Sequence, residues 1–277
     1  MNQADPVVSR LLSTTDSSEW EYVDSLELDF EADHPQGLLR IGDDRFFLSS
    51  VRFTKADSGS PDLSIEGQGF LIEVKRDGRV IREKHRLPVG AGLIYHPGGL
   101  ATDGEHIYVP VSEYRADSQC HIYKVDAESM EIVGDPVSFP DHIGALSIDA
   151  KRKRIFGMSW AARKIYVWNF DWQLLYMNLN PVQNVDYQDI DFIGGNVLAC
   201  SGFSTFELGG EKVVVGGIDL IDAATWLPIH RIMVTTRTHT GRLLCHNAFT
   251  HRLIFPDLFM AFVADDDEDC RVEVYKV

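Results

Sequence analysis

The sequence predicts an all-β fold, a β-propeller of five four-stranded blades, and three observations lead there. A short motif recurs at long period, a strongly apolar strand follows it each time at near-constant distance, and the last repeat ends one strand short. Such periodicity is the signature of stacked supersecondary units.

The motif is His34-Pro35-Gln36-Gly37, then His96-Pro97-Gly98-Gly99, His142-Ile143-Gly144-Ala145, Tyr187-Gln188-Asp189-Ile190 and His246-Asn247-Ala248-Phe249. The leading residues lie 62, 46, 45 and 59 residues apart. Each opens a first strand. Second strands begin 12, 11, 13, 10 and 12 residues later, at Phe46, Ile107, Ile155, Val197 and Leu258. The turns between carry Gly42-Asp43, Asp103-Gly104 and Gly194-Gly195-Asn196, residues that tolerate positive φ.

Third strands alternate with period two: 70–74, 122–125, 165–168, 218–221 and 272–275. Fourth strands follow four of them, from Arg79 to Leu87, Ile132 to Phe139, Leu174 to Leu179 and Ile229 to Val234. The fifth repeat reaches Val277 after its third strand, and Trp20 to Phe30 forms an extra strand-like segment before the first repeat. That segment is expected to complete the last blade and leave no open edge in the ring. Residues 1–19 are then an N-terminal extension and 20–277 one propeller domain. Six blades is the alternative if the long first or fourth repeat holds another.

Composition narrows the function. A hydrophobic share of 44% supplies a substantial core, and a net charge of −16 argues against nucleic acid and against an anionic membrane surface. No run of about 18 apolar residues exists. The first 20 residues carry Asp5, Asp16 and Glu19 and no apolar signal-peptide core. Cys120, Cys200, Cys245 and Cys270 show no CxxC spacing, so buried free thiols in a reducing, cytoplasmic setting are expected. A secreted form whose leader has been removed is the alternative. No obligate protein partner is evident.

In a propeller the first strands line the centre, and the second-to-third connections open on the same rim, where a ligand site forms. That rim gathers His34, Gln36, His96, His142, Tyr187, Gln188 and His246, joined by Glu113, Tyr114 and Arg115, by Trp160 and Arg163, and by Ser201 and Phe203. His96, His142, Tyr187 and Arg163 are the expected catalytic donors, and the rest are expected to bind substrate. Each histidine has a structural alternative, a hydrogen bond to a neighbouring blade. A histidine ring also suits a transition metal, but there is no HxH or HExxH spacing, and no metal or cofactor is expected. The acidic run Asp265 to Asp269 reads as a solvated connection in preference to a calcium site. Nucleophile-elbow, phosphate-loop and dinucleotide motifs are absent.

The motifs His34-Pro35-Gln36-Gly37, Tyr95-His96-Pro97-Gly98-Gly99, Val109 to Arg115, Asp141-His142-Ile143-Gly144, Ser159 to Arg163, Asp186-Tyr187-Gln188-Asp189 and Cys200-Ser201-Gly202 resemble those of an uncharacterised bacterial and fungal β-propeller family. That family is distantly similar to strictosidine-synthase-like and gluconolactonase-like proteins. Ala161-Ala162 replaces an expected Gly-Ser, Ile190 stands in place of a usual cysteine, and the metal ligands of gluconolactonase-like propellers have no counterpart. Some similar fungal propellers act as hetero-Diels–Alder enzymes. The resemblance therefore implies a cofactor-independent enzyme acting on a small, largely apolar natural product, most concretely by cyclisation or cycloaddition. Such a step needs positioning and donors to a developing oxyanion. A metal-assisted hydrolase or lyase and a non-enzymatic ligand- or protein-binding propeller are the competing classes.

Overall fold

In a computed structural model describing residues 5–15, 18, 20–42, 45–54 and 66–277, the chain is all-β and propeller-like, folded into antiparallel sheets of which the basic unit is four strands. The first unit runs His34–Ile41, Arg45–Phe53, Gly67–Asp77 and Val80–Gly92. In the second, His96–Pro97 and Ala101–Thr102 share the innermost place beside His106–Ser112, followed by Cys120–Asp126 and Val137–Phe139. The third is Ala145–Asp149, Arg154–Met158, Lys164–Asn169 and Leu174–Leu179, and the fourth Asp186–Phe192, Val197–Leu208, Glu211–Asp222 and Pro228–Val234.

The last unit contains Ala248–Ile254, Asp257–Val263 and Arg271–Lys276, and the N-terminal strand Glu21–Leu28 pairs antiparallel with the third of these. The same N-terminal strand touches Val80 and Ile81 in parallel register. The first and last units thereby merge into one eight-stranded sheet, where the sequence suggested two separate ones.

Period-two alternation sends successive residues to opposite seams, because each sheet is packed on both faces. In the third unit Phe156 and Val167 face the fourth unit with Tyr187 and Leu198, while Ile155, Tyr166 and Trp168 face the second with Ile122. Further clusters join the first unit to the second through Phe47, Leu71 and Val109, the fourth to the last through Leu220 and Phe262, and the last to the first through Val263 and Ile72. All four cysteines are buried and free.

Three local expectations change. The fourth strand expected over Ile132 to Phe139 shrinks to Val137–Phe139, with Ile132 held by one bridge to Val125. Gly134 takes φ 71°, and Pro136 lacks an N–H, so the strand cannot run through. Second, the extension holds a helix, Pro6–Ser13, capped by Asp5, whose carboxylate accepts the Val7 N–H at 3.0 Å, with Pro6 opening the first turn. Its Val8 and Leu11 join the core between the fourth and last units. Third, Asp265 and Asp266 are not solvated: Asp265 is buried and accepts from Thr238 at 2.9 Å, and Asp266 pairs with His34 and Arg242. The Gly42-Asp43 turn falls partly outside the described residues, as do Asp16 and Glu19; Gly42 itself takes φ 65°.

Candidate functional site

Glycines draw the innermost segments together. A β-carbon on Gly98 would stand 2.1 Å from the Gly144 carbonyl, and one on Gly37 2.8 Å from the Gly98 carbonyl. Gly99 donates to Gly144 across 2.9 Å, and Leu146 donates back to Gly99 at 3.1 Å. Asp189 completes the junction. Its Oδ1 lies where a Gly99 β-carbon would approach to 2.1 Å, and its Oδ2 accepts the Phe249 N–H at 3.3 Å. Burial holds this carboxyl well above the usual carboxylate range, although two main-chain N–H groups oppose the shift. The axis expected to be a channel is thus filled at this level, and Gly37, Gly98 and Gly99 owe their places to close contact between units.

Above that junction lies a cavity of about 180 Å³. Of the expected site residues, Gln36, His96, Tyr114, His142, Trp160, Tyr187 and Gln188 line it, together with Gly144, Ser159, Ala161 and Asp186. The wall is aromatic. His96 stacks on Tyr114 with centroids 4.6 Å apart and planes inclined by 18°, while the His142 ring stands edge-on to Trp160 at 4.9 Å. Tyr114 and Trp160 meet at 5.3 Å.

The two imidazoles have defined states. His142 Nδ1 lies 2.9 Å from the Glu113 carbonyl, which can only accept, so Nδ1 carries the proton and Nε2 keeps its lone pair. That Nε2 sits over Gly144, where a β-carbon would meet it at 3.4 Å. Burial pushes the His142 pKa down to about 4, against the pull of the Glu113 carbonyl and Asp141. Asp141 fixes the segment: it accepts the His142 N–H at 2.8 Å, Lys164 Nζ at 2.8 Å and the Tyr166 hydroxyl at 2.6 Å. His96 is buried, its Nε2 has no hydrogen-bond partner, and burial with the nearby His34 and His142 drives its pKa well below the ordinary value. Both rings are neutral at pH 7.

Gln36 and Gln188 reach the cavity from matching irregularities. Pairing steps from Pro35–Ser50 to Gly37–Ser49, leaving Gln36 as the extra residue, and from Tyr187–Gly202 to Asp189–Ser201, leaving Gln188. A β-bulge re-aims a side chain in this way. Beside Trp160, Ala161 and Ala162 take φ values of 50° and 52°, a left-handed pair that puts strain on the cavity wall.

Other expected residues are committed elsewhere. Tyr187 lines the cup while its hydroxyl donates to Asp219 at 2.5 Å, and Arg231 grips the same carboxylate at 2.6 and 2.8 Å. Arg163 lies outside the lining and holds Asp186 at 2.5 Å and the Ala161 carbonyl at 2.8 Å. It braces the cavity wall. His34 Nδ1 binds Asp266 at 2.8 Å, Arg115 binds the Glu113 carboxylate at 2.5 Å, and Phe203 stacks on His246 at 4.5 Å. Ser201 is fully buried with no partner for its hydroxyl. His142 and His246 precede their strands instead of opening them, His246 within the short turn Leu244–His246. Ala161 and Gly144 escaped the sequence reading; two alanines in a rim connection and the recurrent glycine were the available signals. Among the described residues, no three His, Cys, Asp or Glu side chains are grouped to hold a metal ion. No helix among them is long and apolar enough to cross a membrane.

These features define an all-β, propeller-like protein with a small imidazole-lined cup at the meeting point of its innermost strands. The chain belongs to DUF6454, a family of unknown function, which it matches over residues 3–277. No curated protein matches it. Among solved structures it is similar to a hypothetical protein from Leishmania major, with a TM-score of 0.55 at 8% identity over 99% of this chain and 93% of that one. It is also similar to the tail fiber of Staphylococcus aureus phage P68, with a TM-score of 0.53 at 10% identity over 98% of this chain and 56% of that one. At such identities the likeness extends to the fold alone.

Proposed function

We propose that the chain is a five-bladed propeller, related at a distance to strictosidine-synthase-like proteins, that binds one small ligand in the rim cup and closes a ring within it without cofactor or covalent nucleophile. Five blades is favoured because the core clusters follow one another in cyclic order from first unit to last and back. The functional reading rests on His142. Its proton is held on Nδ1 by Glu113, so a neutral Nε2 lone pair faces the cup at physiological pH.

A neutral imidazole accepts a ligand hydroxyl proton or hydrogen bond, and Gln36 and Gln188 supply amides toward a carbonyl oxygen on which charge develops. Volume selects among reactions. At about 180 Å³ the cup is smaller than the ~300–1,000 Å³ usual for drug-sized ligands. Cyclisation or an intramolecular hetero-Diels–Alder step suits it better than the joining of two separate partners. The metal-assisted hydrolase loses ground because His34 Nδ1 is taken by Asp266, and His34 and His246 lie outside the cup lining.

The test is a screen of small phenols, enones and quinone-methide precursors against the parent chain and His142→Gln. Binding and turnover that vanish in His142→Gln with an unchanged melting temperature support the proposal. Binding without turnover selects the non-enzymatic class, and equal behaviour of both chains removes the cup from function.

A further inference from the structure

The outermost strand of a sheet exposes a row of main-chain donors and acceptors, and proteins blunt such edges with charge, proline or shortness. This chain does so at its other outer strands. Val80–Gly92 and Glu21–Leu28 meet through Val80 and Ile81, and beyond that contact carry Arg82, Glu83, Lys84 and Arg86 on the one and Glu21 and Asp24 on the other. Pro228–Val234 opens with proline and contains Arg231, and Val137–Phe139 is three residues long.

Leu174–Leu179 has no charge and no proline, and its one irregularity is the bulge at Leu175. Its sequence is LLYMNL, it ends the third sheet, and Leu174, Leu175, Met177 and Leu179 are 50, 49, 45 and 67% exposed. No charged residue occurs from 172 to 185, in a chain whose net charge is −16. Pairing with the inner neighbour steps from Val167–Tyr176 to Trp168–Leu174, leaving Leu175 as the extra residue of one bulge, and the stretch from Tyr176 to Leu179 is in regular register.

We infer that this edge is a self-association surface: two copies of the chain join by antiparallel pairing of Leu174–Leu179 with its counterpart about a two-fold axis. Charge argues for a second copy as the occupant. Two chains of −16 repel over most of their surfaces, so they approach at least cost where neither carries charge. The strand is also its own complement. A two-fold axis between Tyr176 and Met177 pairs these two residues within the regular stretch and brings Leu174 and the bulged Leu175 toward Leu179 and Asn178, apolar or amide side chains throughout.

Sedimentation of the full chain over a concentration series tests this, together with amide hydrogen exchange across 174–179. The expected result is a reversible dimer whose strand amides are protected when concentrated and exchange quickly on dilution. The double variant Leu175→Lys/Met177→Lys should raise the dissociation constant about a hundredfold or more with unchanged melting, since four ammonium groups must then be desolvated at the seam against apolar or amide neighbours. Leu179→Lys should act in the same direction should the double variant fold poorly. Leu208→Lys, at a 72% exposed residue of another sheet, should leave the dimer intact. A parent chain that stays monomeric throughout the series overturns the inference. So does a dimer that persists in both strand variants.

Discussion

Gln36 and Gln188 are structural equivalents: each is the extra residue of a bulge in an innermost strand, and both side chains line the same cup. Each amide nitrogen is tied to a nearby carbonyl, Gln36 to Pro35 at 2.9 Å and Gln188 to Asp186 at 3.3 Å, which steadies the side chains. Gln36→Ala and Gln188→Ala should each weaken binding of a ligand from the screen by about 3- to 10-fold, the worth of one hydrogen bond. Calorimetric titration checks this, and a melting temperature that falls in parallel would point to a structural role.

Protonation of His142 should follow its fixed tautomer. The folded pKa is about 4, against an unfolded value of about 6.5. Between these values the unfolded chain binds more protons, so this group's contribution to stability is complete above about pH 6.5 and falls as pH drops toward 4. In ¹⁵N-detected spectra His142 should carry its proton on Nδ1 at pH 7 and titrate near pH 4. Ligand binding through Nε2 should persist to about pH 5 and disappear below it. A midpoint near 6.5 would mean that the ring is solvated.

Tyr187 lines the cup but commits its hydroxyl to a partner within the fold. Its hydroxyl is buried against Asp219, so Tyr187→Phe should lower stability by about 1–3 kcal/mol in urea unfolding. Ligand affinity should stay at the parent value. The reverse pattern, intact stability with lost affinity, would restore it as a donor to the ligand.

The glycines of the repeat should differ sharply from one another. Gly98→Ala forces a β-carbon to 2.1 Å from a main-chain oxygen, so the inner segments must separate. The expected cost is about 1–3 kcal/mol or more. Gly144→Ala meets only the edge of the His142 ring at 3.4 Å, so the fold should hold while ligand binding changes. Denaturation and binding measured on the two variants separate these effects.

The N-terminal region should be required for cooperative folding. Removing residues 1–31 deletes both the strand paired with Arg271–Lys276 and the helix that buries Leu11. Aggregation or a broadened unfolding transition is expected. Leu11→Ala alone should cost about 2–5 kcal/mol. A truncated chain as soluble and stable as the parent would show that the last unit closes without the strand.

Strand placement was legible because two-sided burial leaves a period-two pattern, and Phe156 beside Ile155 or Val167 beside Trp168 registers it directly. The pairing of Glu21–Leu28 with the last unit followed from counting strands. Side-chain direction was harder. Repeat spacing brought Tyr187 and Arg163 to the rim, but partners far along the chain decided where they point: Asp219 took the Tyr187 hydroxyl and Asp186 the Arg163 guanidinium. The short helix Pro6–Ser13 carried a local signal, Asp5-Pro6 followed by apolar Val8 and Leu11, too brief for periodicity to reveal. Asp265 reversed expectation because Thr238, distant in sequence, satisfies it.

Gly98 against Gly144, and Asp189 against Gly99 and Phe249, give the cup a floor across the axis. A ligand seated on that floor enters and leaves on the rim side, so product and incoming substrate exclude one another. A reaction run here should show product inhibition that is competitive with substrate. A chain-like molecule cannot thread through the middle of the protein, which restricts the occupant to a compact molecule or to the free end of a longer one.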